Sequence, residues 1–235
     1  MTTSGTTLFN PNLTEIAEEA WERATGGMTE LRSGYDFRTV RRSLNLLLME
    51  WANQGINMWT VTEGSLPLLT GVTEYDLPLD TIDLIEQVTR TMPGSQTQQT
   101  DINLTRISVA TYATIPNKLA TGRPVQIYVD RQRDRPKAFV WPAPSNDTYT
   151  LQFWYLRRLQ DAGNGVNTED VPFRFYPALI AGLAFKLAMK MPEGAPRLPV
   201  LEAEYNKQWQ LASEEDRTRA AVRFVPRATR VGRGL

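Results

Sequence analysis

Three pairs of adjacent carboxylates, Glu18-Glu19, Glu169-Asp170 and Glu214-Glu215, are the residues of this chain whose type suits acid–base chemistry. A glycosidase places two carboxylates on either side of a sugar bond, one as acid and one as base or nucleophile. Neighbouring helix positions diverge around the axis, however, and most surface carboxylates only solvate. Other chemistries are largely closed. The chain has no histidine and no cysteine. That removes serine–histidine hydrolysis, the usual base near neutral pH, thiolate nucleophiles, disulfides and most zinc sites. The segments "GVNTED" and "GGMTE" lack the lysine and spacing of a phosphate-cradling loop. The expectation is a protein that is not an enzyme, with no catalytic residue, cofactor or metal.

Basic side chains offer binding in place of catalysis. The 235 residues carry 26 basic and 26 acidic groups, yet Arg217, Arg219, Arg223, Arg227, Arg230 and Arg233 crowd the last 19 residues, which hold no acid. The preceding chain is therefore net acidic by six. An arginine arm with Val222, Phe224 and Val225 as apolar anchors suits docking on an acidic partner surface through bidentate arginine–carboxylate pairs. The alternative is an ordinary solvated terminus. A second cluster, Arg131, Arg133, Arg135 and Lys137, could line a DNA channel by sequence-independent phosphate attraction. Asp130 and Asp134 interrupt it, and the favoured reading is a charged hairpin edge that resists stray strand pairing. Six tryptophans could stack on single-stranded bases, but most fall on apolar stripes and suit core packing better.

These groups need elements to position them. Leu13, Ile16, Ala17, Ala20, Trp21 and Ala24 form a helical stripe, with Asn12 and Glu15 as a capping box and Gly26-Gly27 as its close. A second helix is expected over 36–54, with Asp36 as N-cap, Tyr35 and Val40 as staple, and Val40, Leu44, Leu47, Leu48 and Trp51 inward. Gly55 should end it, leaving Trp51 and Trp59 at the joint where the chain changes character. From about residue 57 the period becomes that of strands, at "NMWTVTEGSLPLLTGVTEYDLP", "IDLIEQVTR", "PVQIYVDR", "KAFVWP" and "TYTLQFWYLRR". Residues 93–103 read as a polar loop, and "PAPSND" reads as a hairpin connection between the last two strands. Helical period returns at Tyr176, Leu179, Ile180, Leu183, Ala184, Leu187, Ala188 and Met191, with Pro177 in its first turn or at a kink. "PEGAPRLP" breaks it, and a final helix begins near Pro199 with Leu201, Tyr205, Trp209 and Ala212 inward. The fold class expected is α+β. A discontinuous helical bundle (1–57 and 166–216) surrounds an inserted antiparallel β domain (58–165), followed by an extended arm (217–235). No secretory signal is visible at the N-terminus, and no apolar run approaches the ~20 residues that span a bilayer. A product made in a reducing, aqueous compartment without a membrane anchor is expected.

The segments "RRSLNLLLMEWANQGINMWTVTEGSLPLLTGVTEYDLP", "GRPVQIYVDR", "FVWPAPSNDTYTLQFWYLRRL" and "YPALIAGLAFKLAMKM" resemble the head-to-tail adaptor proteins of short-tailed bacteriophages, also called head-completion or tail accessory proteins. In that family a helix ending near "EW...G" leads into a β segment with "G...YDLP". A later "G-P" precedes a strand, and a "WP-P" hairpin follows. The likeness covers roughly residues 36 to 190, and the C-terminal helix and arm agree in layout only.

The resemblance implies a structural virion protein at the head–tail junction, synthesised in the host cytoplasm. It implies a homo-oligomeric ring, usually of twelve copies, beneath the portal protein. C-terminal extensions would reach into the portal, and tail nozzle or tail fibre proteins would bind below. The ring would continue the channel for double-stranded DNA, with non-specific contact only. On this reading Arg217, Arg219, Val222, Arg223, Phe224, Val225, Arg227 and Arg230 are the portal-binding residues. The alternatives are another virion or nucleic-acid-binding component, or a peptidoglycan-cleaving tail enzyme.

Overall fold

The computed structural model describes residues 5–7, 9–27, 30–31, 34–54 and 58–215. Helix α1 (Leu13–Thr25) starts at the expected capping box. The Asn12 side chain accepts the Glu15 N–H at 3.0 Å, and the Glu15 carboxylate accepts the Asn12 N–H at 2.8 Å. Its close is also as expected, with Gly26 left-handed at φ 69°. Helix α2 (Gly34–Gln54) begins two residues before Asp36, which therefore sits in the first turn and not at the cap. A carboxylate there still favours the positive end of the helix dipole. The Tyr35 side chain and Gly55, expected as staple and stop, lie outside the described residues, as does the whole 217–235 arm.

A turn of 3-10 helix at Met58–Thr60 leads into the strands. They are β1 (Val61–Pro67), β2 (Glu74–Asp76), β3 (Thr81–Thr91), β4 (Thr100–Asn103) and β5 (Thr105–Arg106). A five-residue helix α3 (Val109–Ala113) intervenes before β6 (Thr121–Gly122), β7 (Gln126–Asp130), β8 (Lys137–Trp141), β9 (Ala143–Pro144) and β10 (Tyr149–Arg157). One sheet runs in the order β1-β10-β3-β4 and a second in the order β2-β8-β7-β5, with a two-stranded β6-β9 pair beside them. The long pairings are antiparallel, whereas β5 with β7 and β6 with β9 are short parallel contacts. Helices α4 (Tyr176–Ala188) and α5 (Leu198–Glu215) complete the described chain.

Two local expectations need correction, and one short helix was not anticipated. The segment "PAPSND" does not join a hairpin, because β8 lies between β2 and β7 while β10 lies between β1 and β3. Each strand is already paired on both edges, so the connection crosses from one sheet to the other. The polar 93–103 stretch ends in strand β4, where Asp101 receives both the Nε and an Nη of Arg90, at 2.9 and 2.8 Å, from the facing strand. Helix α3 gave no stripe to read since none of its residues is buried; the Ser108 hydroxyl, accepting the Thr111 N–H, starts it.

Two hydrophobic cores result. One is built from the inward faces of α1, α2, α4 and α5, with Ala162, Val171 and Phe175 from the segment before α4. Helix α4 is buried on nearly every side, including Ala178, Ala181 and Gly182, because the other helices surround it. The second core gathers Ile127, Val129, Ala138 and Val140 from β7 and β8 with Leu151, Phe153 and Tyr155 from β10. Both sheets thus share it, and the period of two in each strand sets which residues enter. Among the described residues no helix is long and apolar enough to cross a membrane.

Candidate functional site

Where the helices meet the strands, an aromatic joint fixes their relation. Trp51, at the end of α2, lies 4.8 Å from Trp209 and 5.7 Å from Phe175, and Trp59 lies 4.6 Å from Phe175 by ring centroids. Two of the indole N–H groups at the joint have defined partners: Trp51 donates to the Tyr205 hydroxyl at 3.0 Å and Trp59 to the Asp170 carbonyl at 3.1 Å. Away from the joint, Trp141 donates to the Asn117 carbonyl at 2.9 Å. These rings are packing and hydrogen-bonding elements of the fold. Arg157, the last residue of β10, then grips Asp170 through both terminal nitrogens, one at 2.9 Å. Burial alone would raise the Asp170 carboxyl, but the Arg157 guanidinium and the Gln160 N–H outweigh it and hold it below the usual range.

Beside this joint opens a cleft of about 910 Å³. Its walls are α2 (Asn45, Leu48, Met49, Ala52, Asn53), the Asp80–Ile82 turn, the β7–β8 connection (Arg131, Gln132, Arg133, Pro136) and the stretch from Arg157 to Asp161. Within it Arg131 is drawn to Asp83 at 3.4 Å and Arg157 to Asp170. Arg133 and Arg158 are exposed and make no ion pair among the described residues. Asp80 and Asp161 add negative charge to the same walls. The lining is therefore mixed in charge with an apolar side, which suits a protein surface better than a phosphate backbone.

The second basic cluster is split by the fold. Arg135 pairs with Asp76 at 3.3 Å and donates to the Leu77 carbonyl, and Lys137 pairs with Glu74, both partners lying on the adjacent strand β2. Arg131 has Asp83. Only Arg133 of the four is left to the cleft without a carboxylate among the described residues. The portal-binding candidates from Arg217 to Arg230 lie outside those residues.

None of the three adjacent carboxylate pairs lines the cleft. Glu19 is tied to Arg23 at 2.7 Å, Asp170 to Arg157, and Glu214 accepts from Gln210. Glu169 is buried, and one of its oxygens has no hydrogen-bond partner. Burial, with Asp170 beside it, pushes its carboxyl up to about 7. A carboxyl shut away from the open cleft cannot reach a sugar chain. No group of metal-ligating side chains occurs among the described residues.

Sequence reading did not single out Asp80, Arg157 or Arg158 for this cleft. The doubled arginine closing "FWYLRR" was the only signal, and which of the two turns inward depends on Asp170, thirteen residues away.

A family model described as SU10 adaptor protein matches residues 11–230. No curated protein matches the sequence.

Proposed function

The chain belongs to the SU10 adaptor protein family and is a phage adaptor, a component of the virion; from that premise we propose that it forms a ring, of twelve copies, joining the portal to the tail. The observation that carries this reading is the extent of the family match, which takes in the helices, both sheets and most of the arginine arm. In this reading the portal protein binds above and a tail nozzle or fibre protein below. The ring continues the DNA channel, and the protein has a structural and not a catalytic task.

The architecture supports a division of labour. A helical domain of 1–57 and 166–216 supplies the ring body, and the β domain of 58–165 projects from it through the Trp51–Phe175–Trp59 joint. Residues 217–235 form the portal-docking arm. Six arginines and few apolar residues cannot offset the ordering entropy of ~1–2 kcal/mol per residue without a partner. Docking therefore draws on carboxylates of the portal, with Val222, Phe224 and Val225 buried beside them. Contact with DNA is weak and independent of sequence, as sliding during ejection requires, because the body is net acidic by six and three of the four β-hairpin cations are paired.

Mass spectrometry of purified virions tests the reading. The chain should be present at a stoichiometry near that of the portal. Its absence from particles, or release of sugars from peptidoglycan by the purified protein, would overturn the assignment.

A further inference from the structure

The cleft is the size of a docked element of protein, and one helix of the same chain has the matching surface. On the α2 side Met49 lines the cleft and Leu46 stands one turn away, each 56% exposed. Arg133, Arg158 and Asp161 line the same cleft. Helix α5 buries Leu201, Tyr205 and Ala212. Its opposite face carries Val200, Lys207, Leu211 and Glu214, at the spacing i, i+7, i+11, i+14 that keeps side chains in one stripe. Val200 is 72% and Leu211 53% exposed, and neither Lys207 nor Glu214 has an ion pair among the described residues. Single exposed apolar residues are ordinary. An apolar pair beside unpaired cations, and an exposed leucine flanked by a lysine and a carboxylate on another face of the same chain, are complementary.

We propose that the cleft receives the outer face of α5 from a neighbouring copy, forming the lateral interface of the ring. Leu211 packs on Met49 and Leu46, Glu214 faces Arg133 and Arg158, and Lys207 faces Asp161. The two charges on α5 lie seven residues apart, about 10 Å along the helix. They thus reach opposite ends of one interface. Cleft and stripe are different patches, so the contact is heterologous and repeats head to tail until it closes as a ring; a self-complementary patch would stop at a dimer. Because α5 leads directly into the arm, each seated α5 also fixes where an arm begins, and a ring of arms so placed binds its partner multivalently. The proposal rests on the ring reading above and supplies its contact.

The absence of cysteine makes the test clean. Virions assembled with the Met49→Cys, Leu211→Cys double variant and treated with a short bismaleimide should show a ladder of covalent multimers on a denaturing gel. Arg133→Glu should lower the occupancy of the chain on filled heads severalfold, and adding Glu214→Arg should restore most of it. Double-variant particles that hold the chain at portal-like stoichiometry yet give no ladder overturn this contact while the ring reading stands. A change in DNA retention by Arg133→Glu at full occupancy, with no ladder, overturns it in favour of a channel-facing cleft. Wild-type particles that lack the chain overturn the adaptor reading and the contact together.

Discussion

Glu169 is a carboxyl held where water cannot solvate its charge, and its consequence is a pH dependence of stability. Burial raises it from an ordinary 4.5 to about 7. Between those values the folded chain binds the proton more tightly than the unfolded chain does. Stability from this group is therefore full in acid and is lost as pH rises through the window, flattening above it. The size is on the order of 3 kcal/mol, one pKa unit being 1.36 kcal/mol. Glu169→Gln should leave stability near pH ~4 almost unchanged and raise it progressively toward pH ~8, read by denaturant unfolding at each pH. An equal effect of the variant at both ends would reject the assignment. Gly182 makes a second case at this scale. A Cβ there would lie 2.7 Å from the Tyr205 ring and 3.0 Å from Leu47. Gly182→Ala should therefore cost about 1–3 kcal/mol through overpacking, outweighing the ~1 kcal/mol that alanine gains over glycine in a free helix. A thermal scan showing a rise in Tm would contradict it.

Among the elements, one seam lies where β10 hands the chain back to the helices. It is closed by the Arg157–Asp170 fork, whose side chains are each 19% exposed, and by the rings around Phe175. Removing either charge leaves the other half-buried without its partner. Arg157→Ala and Asp170→Ala should each destabilise by about 2 kcal/mol, below the range of fully buried pairs because water reaches both. The double variant should lose much less than the sum, with a coupling on the order of 1–2 kcal/mol. Strict additivity in a double-mutant cycle would mean that the fork does not tie the elements together. Hydrogen exchange localised to residues 158–172 in the single variants would place the loosening at this seam.

For the whole molecule, the proposed docking role of the arm makes the separation of charge the property to test. Deleting residues 217–235 changes the formal net charge from zero to minus six and removes none of the described residues that build the two hydrophobic cores. The truncated chain should unfold at the same temperature as the full chain but fail to join portal-bearing heads. Charge reversal at Arg219 and Arg223 should weaken joining in the same direction, and raised salt should add to the loss. Unchanged occupancy of truncated chains on heads would make the arm an ordinary terminus.

The helices were legible because each carries its own signals: the Asn12–Glu15 box, the Val40-to-Trp51 stripe, the glycine at position 26. The strands β3, β7, β8 and β10 were legible for the same reason, since a period of two and a change of composition are local properties, and so was the α+β class. Which strands pair is not local. The "PAPSND" stretch has the composition of a hairpin, yet β8 and β10 go to different sheets because each finds partners elsewhere in the chain. The short strand β4 is defined by its pairing with β3, across which Arg90 reaches to Asp101, and α3 shows no stripe because it buries nothing. The cleft was out of reach for the same physical reason. Its walls come from residues 45–53, 80–82, 131–136 and 157–161, and no window of sequence contains them together. The sequence supplied the charges, including the arginine arm and the "YLRR" terminus; the tertiary structure decided that Arg131, Arg135, Lys137 and Arg157 meet carboxylates, and that Arg133 and Arg158 face an open cleft.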